Sequence, residues 1–240
     1  EKLQPYVELA EFTINESLES ILEGIWKRQP KVIGFSCYIW NWKLIREILM
    51  ELPKILPDTE IWLGGPEVTY DGPGLLREFP QVTGIMVGEG EVTFREVLDQ
   101  YVREAESTGQ SEQQPESGST EQQAADRMGT VAGKTVAERF GQIPGLCLAS
   151  GYTAPRELTD LTTLPFPYED MEPFTNRIIY YETSRGCPYR CSYCLSSIDK
   201  KVRLRDIDVV KRELQFFLDQ NVKQVKFIDR TFNCDHKHAM

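Results

Sequence analysis

Histidine is nearly absent from these 240 residues: there are two, His236 and His238, both at the far end. A metal centre built on imidazole has no donors before that point. Cysteine is sparse as well, 6 in all, too few for the disulfide-dense frameworks of small secreted proteins, and no secretory signal is visible. No apolar run approaches the roughly 18 residues that a membrane-spanning helix needs. A basic excess is missing too: 27 Lys and Arg face 37 Asp and Glu, a net charge of −10 with no basic stripe, which argues against nucleic-acid binding. Thiols free for metal binding point to a reducing, cytoplasmic compartment. Finally, residues 104–127 hold no Val, Ile, Leu, Met or aromatic residue. Such a stretch has too little apolar surface to offset the entropy of ordering, so a disordered acidic and polar insertion is expected over 104–140.

The chain as a whole is 40% hydrophobic, enough for one large or two small cores. Tyr6 to Ile14 is rich in β-branched and aromatic residues and reads as a strand. Asn15 is the expected N-cap of a helix with Leu18, Ile21, Leu22 and Ile25 on one face. Lys31 to Ser36 reads as a strand covered on both faces. A helix with Ile45, Ile48, Leu49 and Leu52 in register follows, and Pro53 is expected to stop it. Further strands are expected at Ile61–Leu63 and Gly84–Val87, then a helix through Val97, Leu98 and Tyr101. Strands alternating with helices imply an α/β fold with a doubly wound parallel sheet. Ser36, Gly64-Gly65 and Gly88-Glu89-Gly90 follow those strands, at the carboxyl edge where such sheets bind ligands.

Behind the strand-like Ile178-Ile179-Tyr180-Tyr181 comes Cys187-Pro188-Tyr189-Arg190-Cys191-Ser192-Tyr193-Cys194, a C-x3-C-x2-C run. Three thiolates from one loop can hold three irons of a cubane and leave the fourth open. Structural zinc would need a fourth ligand, and the nearest spares, Cys234, His236 and His238, lie far along the chain. The spacing, with Tyr193 before the last cysteine, resembles the radical S-adenosylmethionine (SAM) superfamily. That resemblance implies a [4Fe-4S] cluster on Cys187, Cys191 and Cys194, with SAM chelated at the open iron and cleaved reductively to a 5'-deoxyadenosyl radical. Tyr193 is then placed on the adenine side, and Asp229, ending a second barrel strand, either binds SAM or caps a turn. Arg185 and Arg190 would raise the cluster's potential or be solvated. Cys37, Cys147 and Cys234 read as ordinary buried residues, the histidine pair as surface, and the tryptophans mostly as core, with Trp40 and Trp42 as candidates for a ligand face.

Gly34-Phe35-Ser36, Leu63-Gly64-Gly65-Pro66 and Val87-Gly88-Glu89-Gly90-Glu91 together resemble the flavodoxin-like cobalamin-binding domain found upstream of many radical SAM cores. The resemblance implies a corrin resting on Ser36, Gly64, Gly65, Gly88, Glu89 and Gly90. It departs from the fuller family pattern in lacking the Asp-x-His-x-x-Gly loop whose histidine ligates cobalt. Ile143-Pro144-Gly145-Leu146 and Leu164-Pro165-Phe166-Pro167 resemble the segment joining the two domains in that family. The expected organisation is a cobalamin-binding-like domain at 1–103, the insertion at 104–140, a connector at 141–176, and the first βα units of a radical SAM barrel at 177–240. The chain is expected to be a piece of a longer protein, one lacking the start of the first domain and most of the barrel. The implied activity is that of a radical SAM enzyme, a transferase moving a methyl group to unactivated carbon. Its implied partners are a small-molecule substrate and an electron donor such as flavodoxin or ferredoxin. Two alternatives stay open: a radical SAM enzyme with a corrin-free upstream domain, and a non-enzymatic iron–sulfur or zinc module.

Overall fold

The computed structural model describes residues 3–109, 133–197 and 201–240, which fall into two compact units, Glu1–Glu157 and Leu158–Met240. In the first unit, helix α1 (Leu18–Arg28) leads into β1 (Val32–Ser36), α2 (Trp42–Ile55), β2 (Glu60–Gly64), α3 (Gly72–Glu78), β3 (Val82–Met86) and α4 (Gly90–Gly109). After residue 133 come α5 (Val136–Phe140), β4 (Leu146–Leu148) and β5 (Gly151–Tyr152). The strands form one sheet in the order β1-β2-β3-β4-β5. The first three are parallel, and the β4–β5 hairpin extends them antiparallel.

Period-2 alternation divides this sheet between two cores. Ile61, Leu63, Ile85 and Cys147 point to one face, where α1 and α2 lay down Ile21, Ile25, Ile45, Ile48, Leu49 and Leu52. Trp62, Met86, Leu146 and Leu148 point to the other, under Val97 of α4 and Phe140 of α5. Helices on both faces make this the doubly wound α/β arrangement expected from the sequence. Gly84 is needed for it, because a Cβ there would stand 2.6 Å from the Trp62 ring.

Several local expectations are corrected. Tyr6–Ile14 forms no strand: a short 3-10 turn at Gln4–Tyr6 gives way to irregular chain with Leu9 85% exposed. β-propensity without a ladder partner is not enough to define a strand. The cap of α1 is Ser17, whose side chain accepts from Ser20 N–H, and not Asn15. β1 is outermost among the described strands and only partly covered, not buried on both faces. Pro53 lies inside α2 and does not end it. It has no N–H for the Leu49 carbonyl, and Gln81 Nε2 donates to that carbonyl instead, at 2.8 Å.

The expected disordered insertion is helical at both margins. Residues 104–109 end α4, and α5 is set by a capping box between Thr135 and Glu138. Arg139 of α5 is buried and paired with Glu104 and Glu60 at 2.9 and 2.8 Å. These charged contacts, together with Val136 and Phe140 packed on the Trp62 side of the sheet, hold the two helices to β2. Residues 110–132 of that expectation lie outside the described residues. The connector expected at 141–176 divides as well: β4 and β5 belong to the first sheet, whereas Phe166, Tyr168, Met171 and Phe174 pack on the core of the second unit.

That second unit pairs β6 (Ile179–Tyr181) in parallel with β9 (Val225–Phe227). Between them run the two-residue strands β7 (Ser184–Arg185) and β8 (Arg203–Leu204), which pair antiparallel, and α6 (Ile207–Asp219). Asp206 caps α6 by accepting from Asp208 and Val209 N–H. A strand, a cysteine-bearing loop, a helix and a parallel strand are thus in place, and a short α7 (His236–Ala239) follows.

Candidate functional site

The carboxyl ends of β1, β2 and β3 lie side by side, with Ser36 opposite Gly64 and Gly64 opposite Met86. The loops beyond them therefore bring Ser36, Gly64-Gly65 and Gly88-Glu89-Gly90 to one sheet edge. Each glycine there has a different reason. Gly65 has φ +105°, and a Cβ would stand 2.5 Å from the Cys37 carbonyl oxygen, so it is required by close backbone packing. Gly88 has φ +81° with nothing within 4 Å, and Gly90 also faces open space. Gly34 and Ser36 are exposed on the sheet face that α4 covers, where Phe94 would meet a Cβ on Gly34 at 3.7 Å.

The loop after β1 adds an aromatic surface that the glycine pattern does not announce. Tyr38 and Trp40 stack at 4.5 Å between centroids, and Trp40 and Ile39 are exposed. Asn41 fixes the turn by donating to the Ser36 carbonyl and accepting from Tyr38 N–H, at 2.9 and 2.8 Å. Trp42 instead packs edge-on against Phe79 in the core, so the two candidate tryptophans separate. Trp62 is buried and Trp26 is exposed, which makes the tryptophans less uniformly core than expected.

In the second unit the cysteine run fills the loop that the β7–β8 ladder closes. Gly186 opens that loop at φ +96°, and a Cβ there would stand 2.3 Å from the Lys201 carbonyl oxygen. Cys187 and Cys194 are half-buried, Cys191 is exposed, and none of the three is in a disulfide. Cys194 N–H closes a turn on the Cys191 carbonyl at 3.1 Å. The Cys187 thiol is held below its ordinary value, first by a hydrogen bond to Thr231, then by the Tyr189 N–H and the positive Arg230. Tyr193 stands 92% exposed on the same loop. Arg185 pairs with Glu182 at 2.7 Å, which offsets its charge.

Asp229 is occupied. Its carboxylate accepts from Thr183 N–H, the Thr183 hydroxyl and Ser184 N–H at 2.8, 2.9 and 2.5 Å, tying the end of β9 to the start of the cysteine loop. These contacts fit the turn-capping reading of this residue and do not bear on the SAM reading. Below the loop, Tyr181 donates to Glu213 at 2.5 Å, and Arg205 pairs with the same carboxylate. Burial, and then the Glu213 carboxylate, push the Tyr181 phenol up. Cys37 and Cys147 are buried as expected, whereas Cys234 is exposed. His236 is exposed and His238 half-buried.

Among the described residues, no three His, Cys, Asp or Glu side chains are gathered closely enough to hold a single metal ion. A cubane takes one thiolate on each of three irons, so its ligands stand further apart than those of one ion. Three cysteines outside any disulfide, on a loop opened by a left-handed glycine, are a donor set that fits such a cluster. None of the described helices is long and apolar enough to cross a membrane.

Fold and loop together define a class: a doubly wound domain with an open glycine edge, followed in the same chain by a strand and a three-cysteine loop. Residues 5–98 match the family model of the B12 binding domain, so the chain carries one. It is similar to the cobalamin-dependent radical SAM methyltransferase TokK of Streptomyces tokunonensis, 26% identical over 85% of this chain and 28% of TokK. It is equally similar to an uncharacterized methyltransferase of Pyrococcus horikoshii, 26% identical over 93% of this chain and 45% of that protein. The chain thus spans less than half the length of these curated relatives. Among solved structures, the radical SAM methyltransferase TsrM of Kitasatospora setae, with cobalamin and a [4Fe-4S] cluster bound, shares the fold. Its TM-score is 0.60 at 18% identity, covering 93% of this chain and 42% of TsrM. The resemblance read from the glycine loops and the cysteine run, to radical SAM proteins that contain a B12-binding domain, is borne out.

Proposed function

We propose that this chain is the cofactor-carrying part of a cobalamin-dependent radical SAM enzyme, and that the whole enzyme transfers a methyl group to carbon on a small molecule. The observation that carries this reading is the C-x3-C-x2-C loop behind β6, in one chain with a B12-binding domain. Cys187, Cys191 and Cys194 would hold a [4Fe-4S] cluster as thiolates and leave one iron for SAM. The exposed Tyr193 is available to SAM on that loop, whereas Asp229 holds the loop to β9. In the first unit, Ser36, Gly64, Gly88, Glu89 and Gly90 would line the corrin edge, with Gly65 setting the turn. Because no histidine precedes His236, the first unit offers no imidazole to cobalt. When bound, the two cofactors supply one-electron and methyl-carrying chemistry, and the protein supplies position and exclusion of water. An electron donor of the flavodoxin or ferredoxin kind belongs to the same proposal.

The test is to load the whole enzyme anaerobically with iron, sulfide and cobalamin, reduce it, and assay SAM. Formation of 5'-deoxyadenosine that is lost on Cys191→Ala supports the reading. An iron-loaded enzyme that leaves SAM intact would contradict it, and would favour an electron-transfer module.

A further inference from the structure

Thr231 is not singled out by any spacing in the sequence, yet its hydroxyl oxygen lies 3.4 Å from Cys187 Sγ, across 44 residues of chain. That contact is held from both sides. Two residues before Thr231, Asp229 grips Thr183 and Ser184 through three hydrogen bonds, which fixes the end of β9 against the root of the cysteine loop. On the other side, Gly186 lets the chain turn beneath the Lys201 carbonyl immediately before Cys187. Neither partner can drift far from the other without breaking these contacts.

With a free thiol, either atom of the pair can donate. A cysteine bound to iron is a thiolate without a proton, so the hydroxyl must then be the donor. Hydrogen bonds to cluster sulfurs draw electron density from the metal and stabilise the more negative reduced state, which raises the reduction potential. We infer that Thr231 is a positioning residue that donates its hydroxyl hydrogen bond to the cluster-bound sulfur of Cys187 and thereby makes the cluster easier to reduce. This rests on the reading of Cys187, Cys191 and Cys194 as cluster ligands.

The experiment uses the whole enzyme loaded anaerobically with iron and sulfide, as wild type, Thr231→Val, Thr231→Ala and Thr231→Ser. Iron and sulfide content are measured first. The cluster's midpoint potential is then followed by electron paramagnetic resonance during a redox titration. The expected result is that Val and Ala leave iron content unchanged but shift the oxidised-to-reduced equilibrium about tenfold against reduction, about 59 mV for one electron. Ser recovers most of that shift. A packing role alone would not give this order, since Val matches the shape of Thr better than Ser does. Potentials that agree for wild type and the hydroxyl-free variants overturn the inference while leaving the cluster assignment standing. Loss of iron in Val and Ala with full loading in Ser overturns the tuning role as well. A wild-type enzyme that takes up no iron overturns the cluster reading, and the inference falls with it.

Discussion

Gly65 and Gly90 border the same sheet edge, yet a side chain meets different surroundings at each. At Gly65 a Cβ would collide with the Cys37 carbonyl oxygen, on a backbone already at φ +105°. Gly65→Ala should therefore cost about 1–3 kcal/mol of stability, read as a fall in denaturant midpoint, whether or not a ligand is present. Cys37 itself gives a pH prediction. Burial pushes its thiol up from 9.0 to about 12. A raised value means the neutral thiol stabilises the fold fully below about pH 9, and that contribution is lost as pH rises toward 12. Cys37→Ala should flatten the fall in unfolding free energy across that window, and an unchanged slope would show that the thiol is not raised in the folded state. The three-cysteine loop was legible because its spacing is local. Thr231 and the occupied state of Asp229 were not, because both depend on β9 closing beside β6, which no window of sequence records.

Among the elements, α2 and the pair α4–α5 show what periodicity leaves out. Pro53 reads as a stop, but Gln81 satisfies the carbonyl that the proline leaves without a donor. Gln81→Ala should cost about 1 kcal/mol, and substitution of Gln81 by Glu should cost as much, since a carboxylate cannot donate. At the margins of the polar insertion, Arg139 is 1% exposed at its side chain and bridges Glu60 and Glu104, which are 23% and 19% exposed. Breaking a fully buried ion pair costs about 3–5 kcal/mol. Because these carboxylates keep some water, Arg139→Met should cost about 2 kcal/mol in equilibrium unfolding. A neutral effect would mean the triad only replaces equivalent hydration. The sheet and its helices were legible from apolar alternation. The margins of the insertion were not, because a charge network that composition reads as solvated acts there beside the buried Phe140.

Across the whole molecule, each unit has its own core, and the two candidate sites sit in different units. The α/β class, the B12-binding domain and the three-cysteine loop could all be read from residues alone. The connector could not: its aromatic residues look like a stiff linker but bury Phe166 against Phe216 and Phe217. The central claim is that one chain carries a corrin on the glycine edge and a cluster on the cysteine loop, independently. The most direct measurement is the stoichiometry of iron and corrin after anaerobic loading of wild type, Gly90→Trp and Cys191→Ala. A Cβ on Gly90 would meet nothing within 4 Å, so a side chain there should project into the space over the edge without disturbing the fold. The account predicts about four irons and one corrin in wild type, loss of corrin alone in Gly90→Trp, and loss of iron alone in Cys191→Ala. A wild-type protein that takes up iron but no corrin, or an indole at Gly90 that leaves corrin uptake intact, would contradict it.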